Sequence, residues 1–344
     1  MADWTGIESP VSIDSLKTIG RWYGYEIHKL RVPEHNPSNS LFVGTNGNVS
    51  FVVKVNSNEV DSNPIKHELA LLASFGRHVN IVELLNVPGL KNFIVMPQYS
   101  TTLTAFLFPA NIHTVTYASR IYLMTGIVDA LIFLVARQLV HNDIKPDNIM
   151  ISDNGAAVLA DFGSCMPADR AIPTQERLNQ MMIIANYTVE HGVGMQAAGM
   201  HMFLTDAIKA TITMLTVLDI SVNANLRDGI YVYARGKPIE LVGATLTQMR
   251  IYNRAMSDIL LISEVIRSRI NPMRQPRNAA FVDEVIRNRF AGIGPFGKWC
   301  VKQRIVHYML TTLVLFNRNN TIYHTETSWR LLKTELCRVA SNMR

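Results

Sequence analysis

A chain of 344 residues that is 48% apolar and only 17% charged has ample material for a buried core, which excludes wholesale disorder. A formal net charge of +6 is too mild to demand a nucleic-acid partner. Cys165, Cys300 and Cys337 lie too far apart in sequence for a disulfide ladder or a CxxC metal knuckle, and they fit a reducing compartment.

The opening MADWTGIESP carries early acidic residues and no long apolar core. It therefore does not read as a secretory signal, and an intracellular protein of the cytoplasm or nucleus is expected. The first hundred residues read as strand-rich. LFVGT and NVSFVVKV are β-branched or apolar runs separated by Asn46-Gly47, a strong hairpin signal. In KHELALLASFG, Leu69, Leu72 and Phe75 fall at helical spacing and predict a short amphipathic helix. RHVNIVELL and KNFIVMPQY read as two further strands, and TTLTAFL as a turn into a helix.

Beyond this point the pattern becomes helical. Ile121, Met124, Val128, Leu131, Ile132, Val135 and Leu139 mark one face of a long helix. Its Ile121–Val140 stretch is the most lipid-like in the chain. Asp129 and Arg137 interrupt it, so a buried core helix is expected and a membrane span is not. The polar loop HNDIKPDN follows, and then NIMI and AAVLA, joined by Ser-Asp-Asn-Gly as a second hairpin. The remainder is mostly apolar helical text. The expected fold class is α+β, with a small β-rich lobe over 1–98 and a larger helical lobe over 99–344. A cleft between two such lobes is a natural ligand site.

Charge is uneven: residues 1–150 carry a net −1 and residues 151–344 a net +7. Much of the excess lies in strings such as RSRINPMRQPR and VIRNRF. Solvated helix faces account for such strings in most proteins; the functional alternative is a docking surface for an acidic or phosphorylated partner.

HNDIKPDNIMI and LADFG carry the most chemistry. Asp143, Lys145 and Asn148 sit on a Pro-containing loop leading into the hairpin, and Asp161 follows that hairpin before a Gly. Because the hairpin returns the chain, two carboxylates, an amide oxygen and an ammonium are expected to converge. Such oxygens are the hard ligands that Mg²⁺ prefers, the lysine suits a phosphate oxygen, and an uncommitted carboxylate can accept a hydroxyl proton.

On these residues the chain resembles a eukaryotic-type protein kinase. The loop is similar to the family's H-R-D loop, and Asp161-Phe162-Gly163 resembles its D-F-G, eighteen residues after Asp143. Lys54 in FVVKV resembles the lysine of V-A-I-K, and Glu68 in KHELALL the C-helix glutamate that would hold it against the nucleotide phosphates. HVNIV at 78–82 looks like H-P-N-I-V. Ile94-Val95-Met96 followed by Pro97-Gln98-Tyr99 is similar to the hinge.

The resemblance implies a bilobal fold and an enzyme that transfers the γ-phosphoryl group of ATP to Ser/Thr hydroxyls of protein substrates, with ATP and Mg²⁺ as cofactors. It gives Asp143 the acceptor hydroxyl, Lys145 the migrating phosphoryl, and Asn148 and Asp161 the metal. Val52 would roof the adenine, Met96 would be the gatekeeper, and Pro97 and Tyr99 would offer backbone hydrogen bonds to the base.

Departures from the pattern matter as well. Gly20 and Gly24, in Ile19-Gly20-Arg21-Trp22-Tyr23-Gly24, are matched to a degraded Gly-rich phosphate loop, with the polar stretch PEHNPSNS before the next strand. Asn142 replaces the arginine that commonly receives a phosphorylated activation loop, which implies no need for that phosphorylation. Thr188-Val189-Glu190 is the nearest match to A-P-E, and Asp206 in TDAIKA resembles the aspartate that opens the F-helix and braces the catalytic loop. The degraded glycine loop motivates one alternative, a catalytically weak pseudokinase acting as a binding module. The other alternative is a small-molecule phosphotransferase with an H-x-D-x-x-x-x-N loop. An intact chemical core in an altered helical lobe is similar to a viral kinase, of the kind a large DNA virus such as a fish herpesvirus carries.

Overall fold

The computed structural model describes residues 13–30, 39–47, 49–56, 63–90, 93–107, 115–168, 202–221, 284, 286–287, 292–318 and 322–343. These fall into two compact units. One comprises Met1–Ser100 together with Asp161–Gly163, and the other Thr101–Ala160 with Ser164–Arg344. The architecture is α+β, with a sheet in the first unit and mainly helices in the second.

The first unit is built on a four-stranded antiparallel sheet in the order β1 (Glu26–Lys29), β2 (Asn39–Asn46), β3 (Val49–Asn56) and β4 (Ile94–Pro97). Asn46 pairs with Val49, so the β2–β3 turn starts at Gly47, one residue later than the Asn-Gly signal suggests. Gly47 takes φ +58°, which this turn requires and glycine supplies without strain.

Strand alternation then sorts β3 into two faces. Phe51, Val53 and Val55 point into a core shared with Phe42, Ile27, Val95, Leu90 and Phe93. Val52 and Lys54 point to the other face, where register sets Val52 beside Met96 and Lys54 beside Ile94. Gly44 leaves room for the Phe51 ring; a Cβ there would lie 2.3 Å from two ring carbons.

Helix α1 (Ile13–Tyr23) seals the core face of this sheet through Leu16 and Ile19. This corrects the reading of Gly20 and Gly24 as a phosphate loop. Gly20 lies in α1, where its carbonyl accepts the Tyr25 N–H at 2.8 Å, and Gly24 ends the helix at φ +76°. Residues 30–38, between β1 and β2 in sequence, contain no glycine.

Helix α2 (Asn63–Phe75) buries Glu68, Leu72 and Phe75, and Gly76 at φ +65° ends it. The strand expected over RHVNIVELL is not formed. His78 Nδ1 accepts the Asn80 N–H and the His78 carbonyl accepts the Ile81 N–H, so turn chemistry wins over the β-branched run.

In the second unit, β5 (Thr101–Thr102) leads into α3 (Leu103–Phe106), capped by Thr102. Helix α4 (Tyr117–Ala136) begins at Thr116, whose Oγ1 accepts the Ser119 N–H at 3.1 Å. By length and composition α4 is the one helix among the described residues that qualifies as a membrane span, yet 72% of its most apolar window is buried in the protein.

The charges within that stretch are accommodated. Asp129 meets Lys333 at 2.5 Å, and the Arg137 guanidinium lies 3.5 Å from the centre of the Phe133 ring. Lys333 belongs to α8 (Ile322–Ser341), the main partner of α4, which carries Trp329, Leu332, Leu336 and Val339 along a buried stripe. Strand β6 (Leu139–Val140) pairs with β9 (Met166–Pro167), while β7 (Ile149–Ile151) and β8 (Ala157–Leu159) form the second hairpin, paired to β5. Its turn has a Gly155 N–H to Ser152 carbonyl bond with Gly155 at φ +77°. Helix α5 (Met202–Val217) is almost wholly buried, followed by β10 (Ile220–Ser221), β11 (Gly292–Ile293), α6 (Pro295–Lys302) and α7 (Ile305–Arg318).

Candidate functional site

In the first unit a lysine joins two carboxylates. Lys54 Nζ donates to Glu68 Oε2 and to Asp161 Oδ1, each at 2.7 Å. Strand alternation delivers Lys54 and a buried position of α2 delivers Glu68. The other Glu68 oxygen, Oε1, accepts the Phe162 N–H at 3.0 Å, so one carboxylate fixes both the lysine and the Asp-Phe-Gly backbone. The Phe162 ring is fully buried, edge-on to Phe75 with centres 5.2 Å apart. Asp161 takes φ +63°, a left-handed conformation that aspartate tolerates better than most residues.

Electrostatically, burial lowers the Lys54 pKa, but Asp161 and then Glu68 outweigh it and hold the ammonium above the ordinary lysine value. Burial pushes the Glu68 carboxyl up, against the pull of Lys54 and the Phe162 N–H. Val52 and Met96 are half-buried neighbours on the Lys54 face of the sheet. Pro97 ends β4. Tyr99 is half-buried, with its phenol oxygen hydrogen-bonded to the Glu83 backbone and its pKa raised, burial being the main cause.

The second unit holds the loop at 141–148. Pro146 opens a 3₁₀ turn, Pro146–Asn148, and holds Lys145 extended at φ −159° and ψ 161°. Lys145 Nζ donates to Asp143 Oδ2 at 2.7 Å. Asn148 Nδ2 donates to the Asp143 carbonyl at 2.8 Å and to Asp143 Oδ2 at 2.9 Å. Two acceptors on one side fix the amide orientation: the NH₂ faces Asp143, and the Oδ1 oxygen faces away from it. That oxygen is the kind of hard ligand Mg²⁺ takes, as is the Asp161 carboxylate in its own unit. No group of three His, Cys, Asp or Glu side chains with metal-holding geometry occurs among the described residues.

Beneath this loop lies a buried scaffold. Asp206 of α5 accepts the N–H of His141 on Oδ2 at 2.6 Å and that of Asn142 on Oδ1 at 2.9 Å. His141 is fully buried. Its Nε2 faces the Ala160 carbonyl at 3.1 Å and must carry the proton, so Nδ1 accepts the Asp143 N–H at 3.3 Å. With both nitrogens committed to backbone, His141 is a brace and not a base.

Asn142, at φ +64°, donates its side-chain amide to the Ser164 carbonyl at 3.1 Å. Lys209, also buried in α5, donates to the Asn142 carbonyl. Lys209 belongs to no motif; its only sequence signal is a lysine inside the apolar helical text DAIKATITMLTV. The Thr188–Glu190 match and the basic string at 267–277 fall outside the described residues, as does most of VIRNRF.

Comparison with known proteins points to one family. Residues 43–191 match the family described as protein kinase domain. Mitogen-activated protein kinase 15 of Xenopus laevis is 29% identical over 110 residues, covering 31% of this chain and 18% of that protein. The CTD kinase subunit alpha of Schizosaccharomyces pombe is 33% identical over 114 residues, 33% of this chain and 17% of that protein. A serine/threonine-protein kinase US3 homolog of Equine herpesvirus 1 is 24% identical over 142 residues, 39% of this chain and 37% of that protein. The chain thus spans well under half the length of these curated relatives. Residues 43–191 belong to the eukaryotic-type protein kinase superfamily.

Proposed function

We propose that this chain is a protein kinase that transfers the γ-phosphoryl group of ATP to Ser/Thr hydroxyls of protein substrates. The observation that carries the reading is the buried Lys54 ammonium held at 2.7 Å by both Glu68 and Asp161. A lysine so anchored is a fixed cation for the nucleotide α- and β-phosphates. Val52 and Met96 supply the apolar surface for adenine, and the backbone of Pro97 and Tyr99 its hydrogen bonds. Ser/Thr preference is supported by the Asp-x-Lys pattern and by similarity to the serine/threonine-protein kinase of Equine herpesvirus 1.

Asp143 orients the acceptor hydroxyl and takes its proton on the carboxylate. Lys145, hydrogen-bonded to that carboxylate, offsets charge on the migrating phosphoryl. Asn148 Oδ1 and the Asp161 carboxylate are the oxygens that would hold Mg²⁺. When bound, that ion neutralises charge on the phosphate oxygens.

The polarised Asp143 carboxylate gives the test. Purified chain is incubated with labelled ATP, Mg²⁺ and a basic Ser/Thr-containing protein such as histone or myelin basic protein. Wild type is expected to incorporate phosphate, and Asp143→Asn to lose about 10³-fold. Equal incorporation by both would reject Asp143 as the base.

One observation favours a second reading, a nucleotide-binding module with weak turnover. Residues 30–38, between β1 and β2 in sequence, include no glycine of the kind that lets a backbone approach phosphate closely. Tight Mg²⁺-dependent ATP binding without turnover would select that reading.

A further inference from the structure

Asn142 and Asp143 share one peptide unit, and its orientation aims the Asp143 side chain. Two groups grip it from opposite ends. Its N–H, that of Asp143, donates to His141 Nδ1 at 3.3 Å. Its carbonyl, that of Asn142, accepts from Lys209 Nζ. Asn142 is meanwhile held on its own N–H by Asp206 and on its side chain by the Ser164 carbonyl.

A non-glycine residue at φ +64° is a sparsely populated state that persists only when its surroundings over-determine it. Rotation of the following peptide is the easiest escape, and the carbonyl anchor blocks that rotation. Lys209 is 2% exposed, so its ammonium has been taken out of water to make this contact. Asp143 and, one turn earlier on α5, Asp206 are the anions that offset this burial.

We infer that Lys209 is a positioning residue for phosphoryl transfer: it clamps the Asn142 carbonyl and thereby sets the direction of Asp143. The inference rests on the reading of Asp143 as the acceptor-side base. Burial pushes the Lys209 pKa down to about 8, with Asp143 foremost and Asp206 next among the anions that oppose the shift, and Lys145 adding to it. The ammonium therefore lies within electrostatic reach of the carboxylate it orients. Asp206 serves the N–H side of the turn and Lys209 the carbonyl side, three residues apart on one helix face.

The test compares Lys209→Met and Lys209→Arg with wild type in the full-length chain. Lys209→Met keeps the stem volume and removes the donor. A misplacement of this kind is expected to lower kcat about 10²-fold while KM for ATP stays within about threefold. Lys209→Arg, which restores a cationic donor, is expected to recover at least about tenfold of that loss. A kcat in Lys209→Met equal to wild type, or an equal fall in kcat and ATP affinity, overturns the inference.

A second readout is independent of turnover. Backbone hydrogen exchange across 139–145 is expected to rise about tenfold or more in Lys209→Met, with the 149–159 hairpin unchanged. Should wild type transfer no phosphate, the kinase reading fails, and the exchange result alone decides the clamp. If the Met variant does not fold, a crystal structure of wild type decides it: Nζ beyond about 3.5 Å from the Asn142 carbonyl overturns the inference, and Nζ within that distance supports it.

Discussion

Replacing Lys54 by Met tests the electrostatics of the first unit most directly. The substitution keeps most of the stem and removes the ammonium from between two carboxylates. Glu68 is 2% exposed and Lys54 8% in their side chains, so this pair is desolvated; Asp161 is 36% exposed and still reaches water. Breaking a buried pair by removing one partner costs about 3–5 kcal/mol. The low end applies here, because Glu68 keeps the Phe162 N–H. The Asp161 share, screened by solvent, is below about 1 kcal/mol.

The expected loss is therefore about 3 kcal/mol, read from urea denaturation at pH 7. It has a pH signature. Without its cation, burial and Asp161 raise the Glu68 carboxyl pKa against the Phe162 N–H alone. A carboxyl raised in the folded state contributes stability below its unfolded pKa and loses it as pH rises through the folded value. The gap between wild type and variant should thus narrow from pH 7 towards pH 5. Adding Glu68→Leu to Lys54→Met removes the stranded charge and should recover most of the loss. A loss below about 1 kcal/mol, independent of pH, would place these groups among ordinary surface pairs and refute the reasoning.

Three other perturbations probe the frame around the site. Gly44→Val drives a side chain into the Phe51 ring, whose carbons lie 2.3 Å from a Cβ at that position, and should cost about 2 kcal/mol; an unchanged melting midpoint would mean that the ring does not cover β2. Thr116→Ala removes the cap of α4 and should cost about 1 kcal/mol by thermal or urea unfolding, while Thr116→Ser should cost little. Asp206→Asn presents an amide N–H to one of two backbone donors and should cost about 2 kcal/mol or more, together with a fall in phosphate incorporation; retention of both would show that the 141–142 backbone needs no carboxylate.

Residues whose chemistry is local were legible in the sequence. Asn46-Gly47 and Asn154-Gly155 announced two hairpins because a tight turn needs a left-handed position. The order of Lys54, Glu68, Asp143 and Asp161 along the chain was carried by short motifs. The apolar stripe of α4 carried its own period. Other features were set by competition that no short window reveals. Gly20 and Gly24 fit a glycine-loop spacing, yet Leu16 and Ile19 recur one turn apart and bury against the sheet, and that burial made the segment helical. Val79, Ile81 and Val82 favoured a strand, while His78 and Asn80 closed a turn within it. Lys209 had no motif at all, because its meaning lies in a carbonyl 67 positions earlier in the chain.

Helix α1 has a practical consequence for anyone preparing the protein. The family match starts at residue 43, inside β2, so a truncation cut to that boundary would discard α1, β1 and the first half of β2. It would leave Phe51, Val53 and Val95 facing solvent along an unzipped sheet edge, a surface prone to self-association. A fragment meant to stay monodisperse in solution has to begin upstream of Ile13.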